Sequence, residues 1–169
     1  IIALKPFMDP SMVQPKWIER VESAARQGGV ADRLIIIPPL AHSNELMDFL
    51  ALADIQLDTY PYGGWTTNLE ALYAGLAIVT QEGKQARSRW GAYMLRALGI
   101  DAGIAANERE FVQQAVALVK DHALRQNVRG IISRLARDVL FNGPVAQQPF
   151  EAELLRIHSA ALAAQEAGV

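Results

Sequence analysis

Residues 54–80 read DIQLDTYPYGGWTTNLEALYAGLAIVT. Asp54–Asp58 alternates apolar and polar residues, as a short strand does. Leu76–Thr80 is a β-branched run of the kind that parallel sheets bury on both faces. Between them lie a glycine-containing turn and a helix expected from about Thr66 to Ala74, where Gly75 stops it. Strands joined through a helix do not make a hairpin. They make a βαβ unit with parallel strands. That unit sets the fold class as α/β, a parallel sheet flanked by helices.

The same alternation extends both ways. Upstream, Ile1–Pro6 reads as a strand and Asp9–Gln14 as a loop. Pro15–Gln27 follows as a helix ended by Gly28 and Gly29, and Arg33–Pro38 as a buried strand. Ser43 or Asn44 is expected to cap a helix running through Glu45–Ala53. Downstream, Gln81–Gly83 is a loop, Ala86–Leu98 a helix stopped by Gly99, and Gly103–Ala106 a weak fifth strand. Asn107 and Glu110 form a capping-box-like pair ahead of the stripe Phe111, Ala115, Leu118. Helices are expected over Ala123–Asp138 and Pro149–Ala164, separated by Phe141–Pro144. In open parallel sheets ligands bind beyond the C-terminal ends of the strands. The turn after Asp58 lies on that edge.

Composition narrows the function. The 169 residues are 51% apolar and carry a net charge of −2, which supplies a core and no basic surface for nucleic acid. There is no cysteine, which excludes disulfides, zinc–thiolate sites and a cysteine nucleophile. No apolar run approaches the roughly 20 residues that span a bilayer, so no membrane partner is expected and the cytoplasm is the expected compartment. An apolar strand at residue 1 suggests the C-terminal part of a longer enzyme.

The turn itself has chemistry to offer. The first N–H groups of a helix lack internal partners, and the helix dipole adds partial positive charge there. Gly63 and Gly64 can take positive φ and let a ligand approach the backbone, and Thr66 and Thr67 can donate both N–H and hydroxyl. Such a cradle suits a phosphate or diphosphate. Glu70, one helical turn beyond Thr66, suits the hydroxyls of a ribose. The same residues also fit a plain loop with Thr66 as N-cap. Neither the Walker pattern nor Gly-x-Gly-x-x-Gly is present.

The stretch ADIQLDTYPYGGWTTNLEALYAGLAIVTQEG, continued by SRWGAYMLRALGI, ANEREFVQQAVAL and VLFNGPVAQQPFEAELLRI, resembles the nucleotide-binding half of GT-B glycosyltransferases. The resemblance is to the O-GlcNAc transferase/SPINDLY family and to the related protein N-glucosyltransferases, and it covers essentially the whole chain. It implies a Rossmann-like UDP-sugar-binding domain over residues 1–145, completed by a helix over 146–169. It also implies transfer of a hexose or N-acetylhexosamine from a UDP-sugar to a protein side chain, with no metal or other cofactor. The turn Gly64–Thr67 would hold the diphosphate, with Thr66 and Thr67 as its side-chain contacts, Gly63 and Trp65 would belong to the same UDP-sugar site, and Glu70 would hold the ribose. Ala41 would meet the uracil through its backbone, with His42 beside the base. An N-terminal GT-B half and helical repeats upstream would complete the enzyme. The basic residue assisting the leaving diphosphate and the acceptor-side histidines would lie in that preceding part, so no catalytic residue is assigned in this chain. Trp65 stands where the family often has histidine, and Ser43 and Leu46 where animal O-GlcNAc transferases carry lysine and histidine.

Two other readings stay open. One is a GT-B transferase with a carbohydrate or lipid acceptor, although those usually carry two glutamates around this turn and YPYGGWTTNLE has one acidic residue. The other is a non-catalytic module of the same fold. Asp58 is expected to order the turn. Arg89 reads as a salt-bridged or loop-ordering residue, and Lys84 as a surface lysine within reach of a phosphate. Arg125, Arg129, Arg134 and Arg137 read as a solvated helix face.

Overall fold

The strand Ile55–Leu57 (β3) pairs in parallel with Ala77–Gln81 (β4), and β4 pairs in parallel with Ile104–Ala105 (β5). These strands form a three-stranded sheet in the order β3-β4-β5, within the compact unit Leu50–Val169. The structure is a computed structural model that describes residues 1–4, 15–38, 40 and 42–166. A first unit, Ile1–Phe49, holds a separate parallel pair, Ile2–Leu4 (β1) with Leu34–Ile36 (β2). Pro15–Gln27 (α1) connects these two strands. Gly29, at φ 66°, ends α1, and the N–H of Val30 returns to the Ala25 carbonyl at 2.9 Å. A left-handed glycine that terminates a helix in this way satisfies its last carbonyls.

Ser43–Ala51 (α2) begins one residue earlier than a serine cap would allow. His42 sits before it instead: its carbonyl accepts from Leu46 N–H at 3.3 Å, and its own N–H donates to Glu45 Oε2 at 3.2 Å. The sequence expectation of Ser43 or Asn44 as cap is therefore corrected. Glu45 performs the reach-back of a capping box from the third helical position.

In the second unit, Thr66–Tyr73 (α3), Trp90–Ala97 (α4), Glu108–Lys120 (α5) and His122–Leu140 (α6) all pack on β4. Ala77, Ile78, Val79 and Thr80 are all buried although successive side chains of a strand point to opposite faces. Both faces of β4 are thus covered, as the apolar run predicts. Leu72, Leu76, Met94, Leu95, Leu118 and Ile132 complete the core. Asn107 caps α5 as its sequence suggests: Oδ1 accepts from Glu110 N–H at 3.0 Å. Glu110 Oε2 reaches back to Ala106 N–H at 2.9 Å.

Three expectations are corrected here. The stretch Ala86–Leu98 is a 3-10 turn, Ala86–Ser88, followed by α4, because the Ser88 carbonyl turns back to accept from Gly83 N–H at 3.0 Å. The last helix, Gly143–Glu166 (α7), starts earlier than Pro149, which lies inside it. The arginines of α6 form a solvated face only in part, since Arg134 and Arg137 are exposed and Arg125 and Arg129 half-buried. Arg125 Nη1 donates to the carbonyls of Leu118 and Val119, each at 2.8 Å, and closes the end of α5. Arg129 donates to the Ala53 carbonyl at 3.1 Å, and Arg137 lies 5.0 Å from the Tyr73 ring centre. None of the described helices is long and apolar enough to cross a membrane.

Candidate functional site

The cradle begins where β3 ends. Asp58 N–H donates to the Val79 carbonyl at 2.8 Å, which carries the ladder one residue past Leu57. The chain then leaves the sheet, and Thr59 Oγ1 donates to the Tyr62 carbonyl at 2.6 Å, closing the loop. Gly63 is buried, and its N–H donates to the Arg87 carbonyl at 2.8 Å. Gly64 N–H donates to Asp58 Oδ1 at 2.8 Å.

Neither glycine uses its freedom to take positive φ; the described positive-φ glycines are Gly29, Gly75, Gly99 and Gly103. Space is what requires glycine here. A Cβ on Gly63 would lie 3.1 Å from Asp58 Oδ2 and 3.3 Å from the Arg87 carbonyl oxygen. A Cβ on Gly64 would overlap the Thr67 hydroxyl. The backbone therefore makes its close approach to the chain's own atoms, and the two glycine N–H groups are spent internally.

The helix start is different. Trp65, not Thr66, holds the N-cap position of α3, and no side chain caps it. The reading of Thr66 as an ordinary cap is thereby corrected: it is the first helical residue. The first bond into the helix runs from Leu69 N–H to the Trp65 carbonyl at 3.0 Å. Among the described residues no acceptor takes the N–H groups of Thr66 or Thr67, and both residues are exposed. Glu70 is half-buried one turn further on. Asn68 is fully buried, its Oδ1 accepting from Gln56 Nε2 at 2.7 Å, which ties the start of α3 to β3. Trp65 is 48% exposed and meets Trp90 edge to face, with ring centres 4.7 Å apart. This aromatic pair joins the cradle to α4. Ala41 lies outside the described residues. His42 is exposed in the first unit, where its backbone caps α2.

Beside the cradle, beyond β4 and β5, a cavity of about 650 Å³ is lined by residues that include Tyr60, Gly83, Lys84 and Arg89. Glu82 at its wall accepts from Arg96 Nη1 and Nη2, each at 2.7 Å, and lies 3.5 Å from Arg89 Nε. Arg89 is thus the salt-bridged residue its sequence context suggests, and it also faces the cavity. The Arg96 hydrogen bonds, with further attraction from Arg96 and Arg89, hold the Glu82 carboxyl below its ordinary 4.5. A lowered folded value means that the unfolded chain takes up the proton first. The contribution is then complete above about pH 4.5 and is lost as pH falls through the lowered value. Glu82→Gln should flatten that part of the acid-unfolding curve followed by circular dichroism. Identical acid limbs for the two proteins would show that the pair contributes nothing.

A parallel sheet with an uncapped, threonine-bearing helix start at its C-terminal edge is a common design, and comparison with known proteins narrows it. Glycosyl transferase family 41 matches residues 15–147. The chain belongs to that family. The family 41 chain is 34% identical over 130 residues to a protein of Solanum lycopersicum named "Probable UDP-N-acetylglucosamine--peptide N-acetylglucosaminyltransferase SPINDLY". That match takes in 76% of this chain and 13% of the tomato protein. The protein of the same name from Arabidopsis thaliana is 30% identical over 149 residues, 88% of this chain and 15% of its own length. A mutant of Thermobaculum terrenum O-GlcNAc transferase superposes with a TM-score of 0.72 and 30% identity, over 86% of this chain and 27% of that structure. The lipopolysaccharide glycosyltransferase WaaG, at 20% identity and a TM-score of 0.58, shares the fold. The family 41 chain therefore spans a small part of its relatives, and its fold is shared with GT-B glycosyltransferases.

Proposed function

We propose that this chain is the donor-binding part of a glycosyltransferase that moves a sugar from a UDP-sugar to a protein side chain. The observation that carries the reading is the uncapped start of α3, with the N–H groups of Thr66 and Thr67 unspent beside two hydroxyls. The relatives' names describe UDP-N-acetylglucosamine–peptide transferases, which makes N-acetylglucosamine the first donor to test. In such a transfer the acceptor oxygen or nitrogen attacks the anomeric carbon and the carbon–oxygen bond to the diphosphate breaks. The electron pair leaves on UDP, while the acceptor gives up its proton.

Charge on the diphosphate grows as that bond breaks. Donors fixed in advance at a helix start stabilise it most where the charge is largest. Thr66 and Thr67 serve the diphosphate and Glu70 the ribose diol, with no metal in the reading. Trp65, half-exposed beside the threonines, is the residue for donor preference. Ala41 and His42 remain the proposed contacts to the base.

Calorimetric titration tests this directly. UDP should bind the chain, and uridine, which lacks the diphosphate, should bind at least about tenfold more weakly, since each charge-assisted hydrogen bond is worth roughly 1.5–3 kcal/mol. Absence of heat at millimolar UDP would sink the donor reading for this chain.

A further inference from the structure

Asp58 is half-buried at the end of β3, and donors from three segments converge on its carboxylate. Oδ1 accepts from Thr59 N–H at 2.9 Å and from Gly64 N–H at 2.8 Å. Oδ2 accepts from Thr80 Oγ1 at 2.8 Å, from the buried end of β4. Three glycines close around the same group. A Cβ on Gly63 would lie 3.1 Å from Oδ2, one on Gly64 3.4 Å from Oδ1, and one on Gly91 3.0 Å from Oδ2. Gly91 is the second residue of α4, so the carboxylate lies close to the beginnings of both α3 and α4. A negative charge is favourable at such ends.

We propose that Asp58 is the positioning residue of the diphosphate cradle. Its bond to Gly64 fixes the turn from which α3 starts, and with it the place of the Thr67 hydroxyl, which fills the space a Gly64 side chain would take. Its bond to Thr80 anchors that turn to the centre of the sheet. The carboxylate also occupies Gly64 N–H, so a bound diphosphate draws on Thr66 and Thr67 and not on the glycine. The inference rests on the donor reading above, which supplies the ligand.

The role is geometric, so shape should matter more than charge. Asp58→Asn keeps an oxygen for Gly64 and Thr59 and presents an amide that can donate to the Thr80 hydroxyl. Asp58→Ala removes all three bonds. UDP titration of folded protein, checked by circular dichroism, should find Asp58→Asn within about threefold of wild type. Asp58→Ala should be weakened by about tenfold or more, the equivalent of one lost charge-assisted hydrogen bond. Sodium formate, small enough for the vacated space, should restore part of that loss. Where Asp58→Ala does not fold, Thr80→Val removes one anchor with little change of shape. It should weaken UDP about threefold and speed hydrogen exchange of the Gly64 amide. If wild type binds UDP and either Asp58→Ala or Thr80→Val binds it equally well, Asp58 only stabilises the fold and the proposal is overturned. Failure of wild type to bind UDP is a different result, and it removes the donor reading itself.

Discussion

Replacing Thr66 and Thr67 together with alanine should lower UDP affinity by about 100-fold or more while leaving the thermal melt nearly unchanged. The size follows from two hydroxyls lost from a diphosphate, each a charge-assisted hydrogen bond of roughly 1.5–3 kcal/mol, with the helix N–H groups left to retain the remainder. The neutrality toward folding follows from position. Both residues are exposed, neither hydroxyl donates to another described residue, and neither caps α3. Alanine is also the better helix former. Calorimetry with UDP, paired with a melt followed by circular dichroism, reads both quantities. Unchanged affinity would mean that the threonines are bystanders and that the anion, if bound, sits elsewhere.

Gly103→Ala has the opposite profile, and destabilisation of about 3 kcal/mol or more is expected. Gly103 has φ 92°, a backbone conformation that side chains resist, and its new Cβ would collide with the Ile78 carbonyl of β4. That obstacle is backbone in the most buried strand and does not rotate away. Gly103 also contributes its carbonyl to Thr80 N–H at 2.8 Å, and its N–H donates to Gln114 Oε1 at 3.1 Å, so a shift would unpair β5 and loosen α5. Thermal unfolding should drop by roughly 10 °C. A melt within about 3 °C of wild type, the shift that only about 1 kcal/mol would give, would show that this corner adjusts far more easily than the geometry suggests.

The contrast between these two sites reflects what the sequence could reveal. The buried strand β4 announced itself in Leu76–Thr80, and the cap of α5 in Asn107 and Glu110, because both signals are local, whereas Arg33–Pro38, expected to be buried too, leaves Ile35 exposed in β2. Thr66, Thr67 and Glu70 stood out for the same reason: helical spacing from a glycine turn is read along one stretch of chain. The reason for the glycines was not local. Gly63 and Gly64 looked like positions of unusual φ, but what they avoid is Asp58, Thr67 and the Arg87 carbonyl. The break at Arg89 depends on Ser88 meeting Gly83. The arginines of α6 had the composition of a wet surface, yet Arg125 and Arg129 find their acceptors on α5 and ahead of β3. Asp58 was recognised as ordering its turn. Its bond to Thr80, 22 residues on, required the sheet to be assembled.

The closure of Gly63, Gly64 and Gly91 around one carboxylate also limits how such a chain can drift. Enlarging any of these positions requires its neighbours to shift. Asp58→Glu adds a methylene where glycine faces leave no room, and a larger residue at Gly91 meets both Asp58 and Thr80. Enlarging any one of them is expected to require a compensating change at another. Trp65 and Glu70 lie outside that cluster, so under the proposed donor reading they are the positions where substitution should alter donor preference without disturbing it.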